Sequence, residues 1–255
     1  MTHRGAEALV GTSHRPRQRR SLPLTGSTSL PPAEHKARSV EAMFDRIAGR
    51  YDLVNQVMTF GRDVAWRRRA VAEMRLASGS RVIDLACGTG DFCRELEREG
   101  HAVIGCDFSA RMLQVAASRT RAPLVRADIL RLPMPGGSAD GATCGFALRN
   151  VVDIDACFAE MARVLRSGGR VAILEVAEPL RPRLQRLHAL YFRHLVPLIG
   201  GVISDAAAYR YLPASTAYLP PPARLLQALR KAGFADARRV TMGLGGVQLL
   251  VGTRR

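Results

Sequence analysis

Asp84-Leu85-Ala86-Cys87-Gly88-Thr89-Gly90 sets two glycines between a short apolar run (Val82, Ile83) and a helix-like stretch from Phe92 to Glu99. Strand, glycine turn and helix start in that order form the cradle used for nucleotide-type ligands. With no Cβ, Gly88 and Gly90 let the chain bend sharply and the ligand approach the backbone. A second acid, Asp107, ends the next apolar run, Val103 to Cys106. There a carboxylate can accept hydrogen bonds from two ribose hydroxyls. Asp84, at the end of the first run, is placed to orient the loop or to hold one end of the ligand.

The loop discriminates between ligands. A dinucleotide fingerprint needs a third glycine and free amides at the helix start for the pyrophosphate. Here Asp91, Phe92 and Cys93 follow Gly90, so the third glycine is missing and Asp91 puts negative charge where a pyrophosphate would lie. S-adenosylmethionine carries no phosphate, and the loop resembles the class I methyltransferase pattern. A glycine turn that holds nothing is the competing explanation.

Such a loop works only in an element frame, and the rest of the chain supplies one. Strand patterns fall at 81–86, 102–107, 123–127, 140–147 and 170–177, with helical patterns at 90–99, 109–119 and 155–166 between them. A helix near 223–232 and closing strands at 236–242 and 246–252 follow, with Gly168-Gly169 as a turn. Strands alternating with helices predict an α/β fold: a Rossmann-like, seven-stranded, mainly parallel sheet covered on both faces. Ahead of it, Met43, Phe44, Ile47, Tyr51 and Val54 make a helical apolar stripe that begins near Ser39, a predicted N-cap. A second helix, 64–74, carries Trp66 and an exposed run Arg67-Arg68-Arg69. Residues 1–38, with four arginines at 15, 17, 19 and 20 and prolines at 23, 31 and 32, are expected to form a flexible basic arm ahead of a domain at 39–255.

Composition bounds the function. At 255 residues the chain suits one α/β domain with extensions. No run reaches the about 18 apolar residues needed to cross a bilayer, and the start lacks a signal-peptide core, so a cytoplasmic enzyme is expected. The net charge of +16 is carried by arginine, with Lys36 and Lys231 the only lysines. GC-rich coding explains that bias as well as an anionic partner does. Five cysteines without paired C-x-x-C spacing read as reduced, mostly buried thiols. His35, His101, His188 and His194 show no ligand spacing, so no metal is expected. Segment 183–203 breaks the β/α rhythm: Leu184, Leu187, Leu190, Tyr191, Leu195 and Val196 form an apolar face, with Arg183, Arg186 and Arg193 elsewhere. It is read as a packed helix, a lid over an apolar substrate (183–215), or a helix lying on a membrane surface.

Five segments together resemble the ubiquinone/menaquinone-biosynthesis C-methyltransferase family. They are Met43-Phe44-Asp45-Arg46-Ile47-Ala48 running into Tyr51-Asp52-Leu53-Val54-Asn55 and Trp66; the loop from Asp84 to Asp91; Phe146-Ala147-Leu148-Arg149-Asn150-Val151-Val152-Asp153; Arg163 to Arg170, ending at Glu175; and Tyr209-Arg210-Tyr211-Leu212-Pro213-Ala214-Ser215. The match spans about residues 40 to 253. The chain departs from the family at Val54, Thr59, Asp63, Gly145, Ser167 and Ala177, and Leu249 to Gly252 lacks the usual histidine.

The resemblance implies transfer of a methyl group from S-adenosylmethionine to a ring carbon of a prenylated quinol, most simply demethylmenaquinol to menaquinol. It implies that Gly88, Thr89 and Gly90 hold the methionine end, with Asp84 supporting, that Asp107 meets the ribose, and that Asp128 and Ile129 meet the adenine. Gly145 would offer backbone to the cofactor. Arg149 would stabilise the developing phenolate or activate a water, Asn150 would bond a quinol oxygen, and Tyr51, with Asn55, would close over the pocket. The partners implied are a small prenylated quinol, transient contact with the inner face of the membrane, and a second copy in a homodimer, with no nucleic acid. Two alternatives stay open: a diverged enzyme methylating another small aromatic or lipid, and a non-catalytic cofactor-binding subunit of a quinone-synthesis complex. An Asn/Asp-Pro-Pro-Tyr/Phe element of nucleic-acid methyltransferases is absent.

Overall fold

A computed structural model describes residues 33–179, 181–191, 211 and 215–255. The arginine-rich stretch ahead of Ala33, most of 192–214, and with them Tyr209-Arg210 lie outside the described residues. Helix α1 (Ala33–Ile47) starts six residues ahead of Ser39, which is therefore an interior helical residue and not a cap. Ala33-Glu34-His35-Lys36-Ala37-Arg38 are good helix formers following Pro31-Pro32, and they extend the helix backwards. The apolar stripe also divides. Ala48-Gly49-Arg50 separates α1 from α2 (Tyr51–Thr59), and α2 ends where Phe60 and Gly61 turn left-handed.

After α3 (Arg62–Met74) the alternation follows: β1 (Arg81–Leu85), α4 (Asp91–Arg98), β2 (Ala102–Asp107), α5 (Ala110–Ala117), β3 (Leu124–Arg126), β4 (Ala139–Gly145), α6 (Ile154–Val164), β5 (Leu165–Val176) and α7 (Pro182–Leu190). Helix α8 (Pro222–Lys231), β6 (Phe234–Met242) and β7 (Val247–Arg254) close the chain. The seven strands order as β3-β2-β1-β4-β5-β7-β6, with β1 to β5 parallel and β7 antiparallel to both its neighbours.

Alternate residues of the central strands face opposite layers. Ile83, Leu85, Val171, Ile173 and Leu250 pack on α6 and α8, through Phe158, Met161 and Leu225. Val82, Ala172, Leu174, Leu249 and Val251 pack on α3 and α4, through Val71, Met74 and Phe92. Burial on both faces explains why these strands are continuous apolar runs. A small third core, Met43, Ile47 and Val54 with Phe44 and Tyr51, seats α1 and α2. All five cysteines are buried free thiols.

Strand order reverses between β1 and β4. In an open α/β sheet the crevice outside the carboxyl ends at that point is where ligands bind. The loop after β1, Asp107 at the end of β2, Gly145 at the end of β4 and Glu175 near the end of β5 all fall on that edge.

Candidate active site

Two clefts open at this edge. The proximal one, about 930 Å³, is lined by Gly88, Asp107, Asp128, Ile129 and Gly145, with Phe44, Phe108 and Met112 supplying apolar surface. The distal one, about 1620 Å³, is lined by Asn55, Trp66, Arg149, Leu187, Tyr191 and Val247 among others. Tyr51 and Phe146 line both, so the clefts meet there.

The proximal cleft fits S-adenosylmethionine. Gly88 turns with φ +56°, and a Cβ built on it would meet open space. Asp107 accepts hydrogen bonds from the amides of Gly88 and Ser109, each 2.8 Å, so one carboxylate pins the glycine loop to the start of α5. Burial raises the Asp107 carboxyl above its ordinary value, and the amides oppose that shift. Asp128 is exposed and its Oδ1 accepts from the Leu130 amide at 2.9 Å. Met112, on the inner side of α5, is both buried and part of the wall. Phe44 and Phe108 are wall residues that sequence reasoning missed; the signals were Phe108 directly following Asp107 and Phe44 standing seven residues, two helical turns, before Tyr51 on the same apolar stripe.

Three of the eight residues assigned to the cofactor stand elsewhere. Asp84 is buried under the loop, its Oδ1 accepting from Thr143 Oγ1 at 2.8 Å and its Oδ2 from the Cys93 thiol at 3.5 Å. Thr89 turns its hydroxyl away to Asp52 Oδ1, 2.5 Å. Gly90 caps α4 with φ +86° and faces Thr120 and Ala116. Their spacing is set by the turn itself, which needs a supporting acid below and a staple beside it as well as a ligand face.

The staple is an ionic chain. Arg119 pairs with Asp52 and with Asp91 (2.9 Å) and donates to the Thr89 carbonyl (3.1 Å). Arg67 joins Asp91 (3.0 Å) to Asp63 (2.5 Å), and Thr59 donates to Asp63 at 2.9 Å. Arg67 is thus buried, and the exposed run expected at 67–69 holds only for Arg68 and Arg69. Burial alone would pull the Arg67 guanidinium down, but Asp91 and Asp63 outweigh it and hold it above its usual value. Thr59 and Asp63, both departures from the family pattern, touch each other and line the distal cleft.

Arg149 and Asn150 do not work side by side. They lie in a single 3-10 turn, Leu148–Asn150, which sends consecutive side chains apart. Arg149 reaches the distal cleft, where Nη1 donates to Glu175 Oε1 and to the Phe146 carbonyl, both 2.6 Å, and Nε donates to Ser215 Oγ at 3.2 Å. Glu175 also accepts from the Arg149 and Val176 amides, 3.0 and 2.8 Å. Asn150 instead lines the proximal cleft, and its Oδ1 accepts from Tyr211 Oη at 3.2 Å. Burial pushes the Tyr211 phenol up to about 12. Tyr51, T-stacked on Phe44 at 5.8 Å, is likewise raised by burial, against its hydrogen bond with Asn55.

Glu175 was named only as the end of a segment. A lone carboxylate inside Val171-Ala172-Ile173-Leu174-Glu175-Val176 was a legible signal, because a charge in a buried strand must be paired.

Two predictions arise here. A Cβ at Gly145 would stand 2.8 Å from Cε2 of the Phe92 ring, which is packed in the core. Gly145→Ser is therefore expected to cost about 1–3 kcal/mol of stability in denaturant unfolding, as overpacking does. It should also weaken S-adenosylmethionine binding in calorimetric titration. Burial pushes the Asp84 carboxyl up to about 7, against the bonds from Thr143 and Cys93. The folded state then holds a proton that the unfolded chain releases near about pH 4, so this group makes stability fall as pH rises from about 4 to about 7. Asp84→Asn is expected to flatten that slope and to exceed the parent at about pH 8 by on the order of 2 kcal/mol. Parallel stability-versus-pH curves for the two proteins would refute a buried titration.

Sheet order, switch-point loop and paired clefts define a class I S-adenosylmethionine-dependent methyltransferase. Solved structures agree on the fold. A SAM-dependent methyltransferase of Thermotoga maritima superposes with TM-score 0.61 at 20% identity, covering 84% of this chain and 99% of that one. A Haemonchus contortus phosphoethanolamine N-methyltransferase 2 in complex with S-adenosyl-L-methionine gives 0.53 at 16%, covering 78% and 58%. Residues 33–254 match the model of the ubiE/COQ5 methyltransferase family, and the chain belongs to that family. It is 44% identical over 233 residues to a demethylmenaquinone methyltransferase of Roseiflexus castenholzii, covering 89% of this chain and 98% of that protein. It is 42% identical to one of Deinococcus radiodurans (87% and 95%), and 39% identical to a ubiquinone/menaquinone biosynthesis C-methyltransferase UbiE of Syntrophotalea carbinolica (83% and 92%). Among the described residues no helix is long and apolar enough to cross a membrane.

Proposed function

We propose that this protein methylates a ring carbon of a prenylated quinol, with demethylmenaquinol as its substrate, working from the cytoplasm at the inner face of the membrane. The observation that carries this is the junction at Tyr51 and Phe146, where the cleft bearing Gly88, Asp107 and Asp128 meets a larger, more apolar one whose wall includes the buried Arg149, ion-paired with Glu175. S-adenosylmethionine, when bound, supplies an electrophilic sulfonium methyl group.

Gly88 would meet its methionine end, Asp107 the ribose hydroxyls, and Ile129, Met112 and Phe108 the adenine, with Asp128 at the exocyclic amine. On the acceptor side, loss of a quinol O–H proton makes the neighbouring ring carbon nucleophilic. As the carbon–carbon bond forms and the sulfonium bond breaks, the ring gives up its own proton to water and regains aromaticity. A guanidinium, with pKa above about 12, is a poor base. Arg149 therefore acts by its charge, stabilising the phenolate oxygen and favouring proton loss to water. Glu175 positions it. Tyr51 and Phe146 align the ring at the junction and exclude water, so proximity supplies much of the rate. Asn150, on the proximal side, orients the ligand there and Tyr211 holds its amide.

The test uses purified protein, methyl-labelled S-adenosylmethionine and chemically reduced demethylmenaquinone with a short prenyl tail. Mass spectrometry is expected to find one labelled methyl on the ring. Cofactor bound without ring methylation would overturn the proposal in favour of another acceptor or a non-catalytic subunit.

A further inference from the structure

We propose that the mouth of the distal cleft is a docking surface for an anionic lipid bilayer; this rests on the reading of that cleft as a prenylated-quinol site and says where the tail enters. Six of the eight large apolar side chains that stand exposed among the described residues are gathered on the elements around this mouth. Leu53, Val57 and Phe60 follow at i, i+4 and i+7 along α2 and its cap, with Phe60 77% exposed. On α7, Leu187 and Leu190 are 63% and 59% exposed, and Leu244 in the β6–β7 turn is 75% exposed. Phe60, Leu187 and Leu244 also line the cleft, so surface and cavity are continuous. Helix α7 is fixed to α2 by the hydrogen bond from Tyr191 Oη to the Met58 carbonyl, 2.5 Å, and by the Tyr191 ring 6.3 Å from that of Phe60.

Charge selects the occupant. Arg183 and Arg186 stand among the leucines of α7, and Arg62 lines the cleft at the start of α3; all three are exposed, and none forms an ion pair among the described residues. Some exposed arginines elsewhere find carboxylates (Arg68 and Arg98 pair with Glu95, Arg69 with Glu73, Arg163 with Glu160), whereas Arg75, Arg111, Arg121 and Arg131 are exposed without an ion pair among the described residues. What sets the mouth apart is that its unpaired arginines stand among exposed leucines. Helix α7 has no acid, and neighbouring Glu178 is held by Gln185 at 3.5 Å. Apolar side chains set among free arginines match acyl chains beneath phosphate headgroups. A second copy of this surface would instead set arginine against arginine. A quinol with a long tail could then pass from the bilayer into the cleft without crossing water.

The test is flotation of the full-length protein with vesicles of phosphatidylglycerol and phosphatidylcholine, and with phosphatidylcholine alone. The protein is expected to float with the anionic vesicles and to be released by high salt. Two double variants avoid the cleft lining: Arg183→Glu with Arg186→Glu, and Leu53→Ser with Leu190→Ser. Each should lower partitioning about tenfold or more while leaving thermal unfolding, and turnover of a water-soluble short-tail quinol, at parent levels. Failure to float with either vesicle, or both variants floating like the parent, overturns the proposal. Flotation needs no turnover, so an absence of ring methylation would count against the quinol reading alone.

Discussion

Arg149→Ala is expected to abolish ring methylation and to lower the free energy of unfolding by about 3–5 kcal/mol, the cost of stranding a buried charge. The partner left behind is Glu175, fully buried and held by two backbone amides, with the Arg149 guanidinium as its ion-pair partner at 2.6 Å. Loss of fold and loss of chemistry would then coincide, so a second variant separates them. Replacing the pair together, Arg149→Met with Glu175→Leu, removes both charges and retains the bulk. Such replacements are often neutral or stabilising. The double variant is expected to unfold close to the parent in denaturant and still to fail in ring methylation. Activity restored along with stability would show that the pair is only structural. Glu175→Gln should fall between these limits: a neutral amide still accepts from Arg149 but leaves the guanidinium uncompensated.

Asp107→Ala is expected to weaken S-adenosylmethionine binding by about 100-fold or more in calorimetric titration, with a smaller loss of stability. Hydrogen bonds to a charged group are worth about 1.5–3 kcal/mol each, and two ribose hydroxyls would be lost together. A second contribution comes from the loop. The same carboxylate holds the amides of Gly88 and Ser109, so without it the glycine turn loses its link to α5. Asp107→Asn discriminates between the two contributions. Its amide oxygen can keep one backbone bond, whereas its NH₂ faces a backbone donor and repels it. An Asn variant that binds within threefold of the parent would remove Asp107 from the cofactor site and leave it the loop anchor alone.

The sequence showed the frame more completely than the site, for reasons visible in particular residues. Strand runs such as Val103-Ile104-Gly105-Cys106-Asp107 are local and periodic, so β2 could be bounded to the residue. The stripe from Met43 to Val54 was equally periodic yet contains a break, because Gly49 interrupts the helix while the apolar positions on either side still meet in one small core. Arg67 looked like the first of three solvated arginines. Asp63 lies one turn away, but Asp91 is 24 residues on, and only folding brings it to 3.0 Å.

The amino-acid sequence by itself determined the class of the fold, the glycine turn, the acid at the end of β2 and the family, because each depends on residue types, spacing and order along the chain. Tertiary structure alone decided which side of the crevice each residue serves. Neighbours 149 and 150 part to different clefts, Thr89 turns its hydroxyl to Asp52, Asp84 takes the supporting one of its two expected roles, and Glu175 comes to hold Arg149 from 26 positions away. The physical reason is that charge pairing and desolvation act through space. A carboxylate's role is fixed by which donor packing delivers to it, and no periodicity along the chain records that.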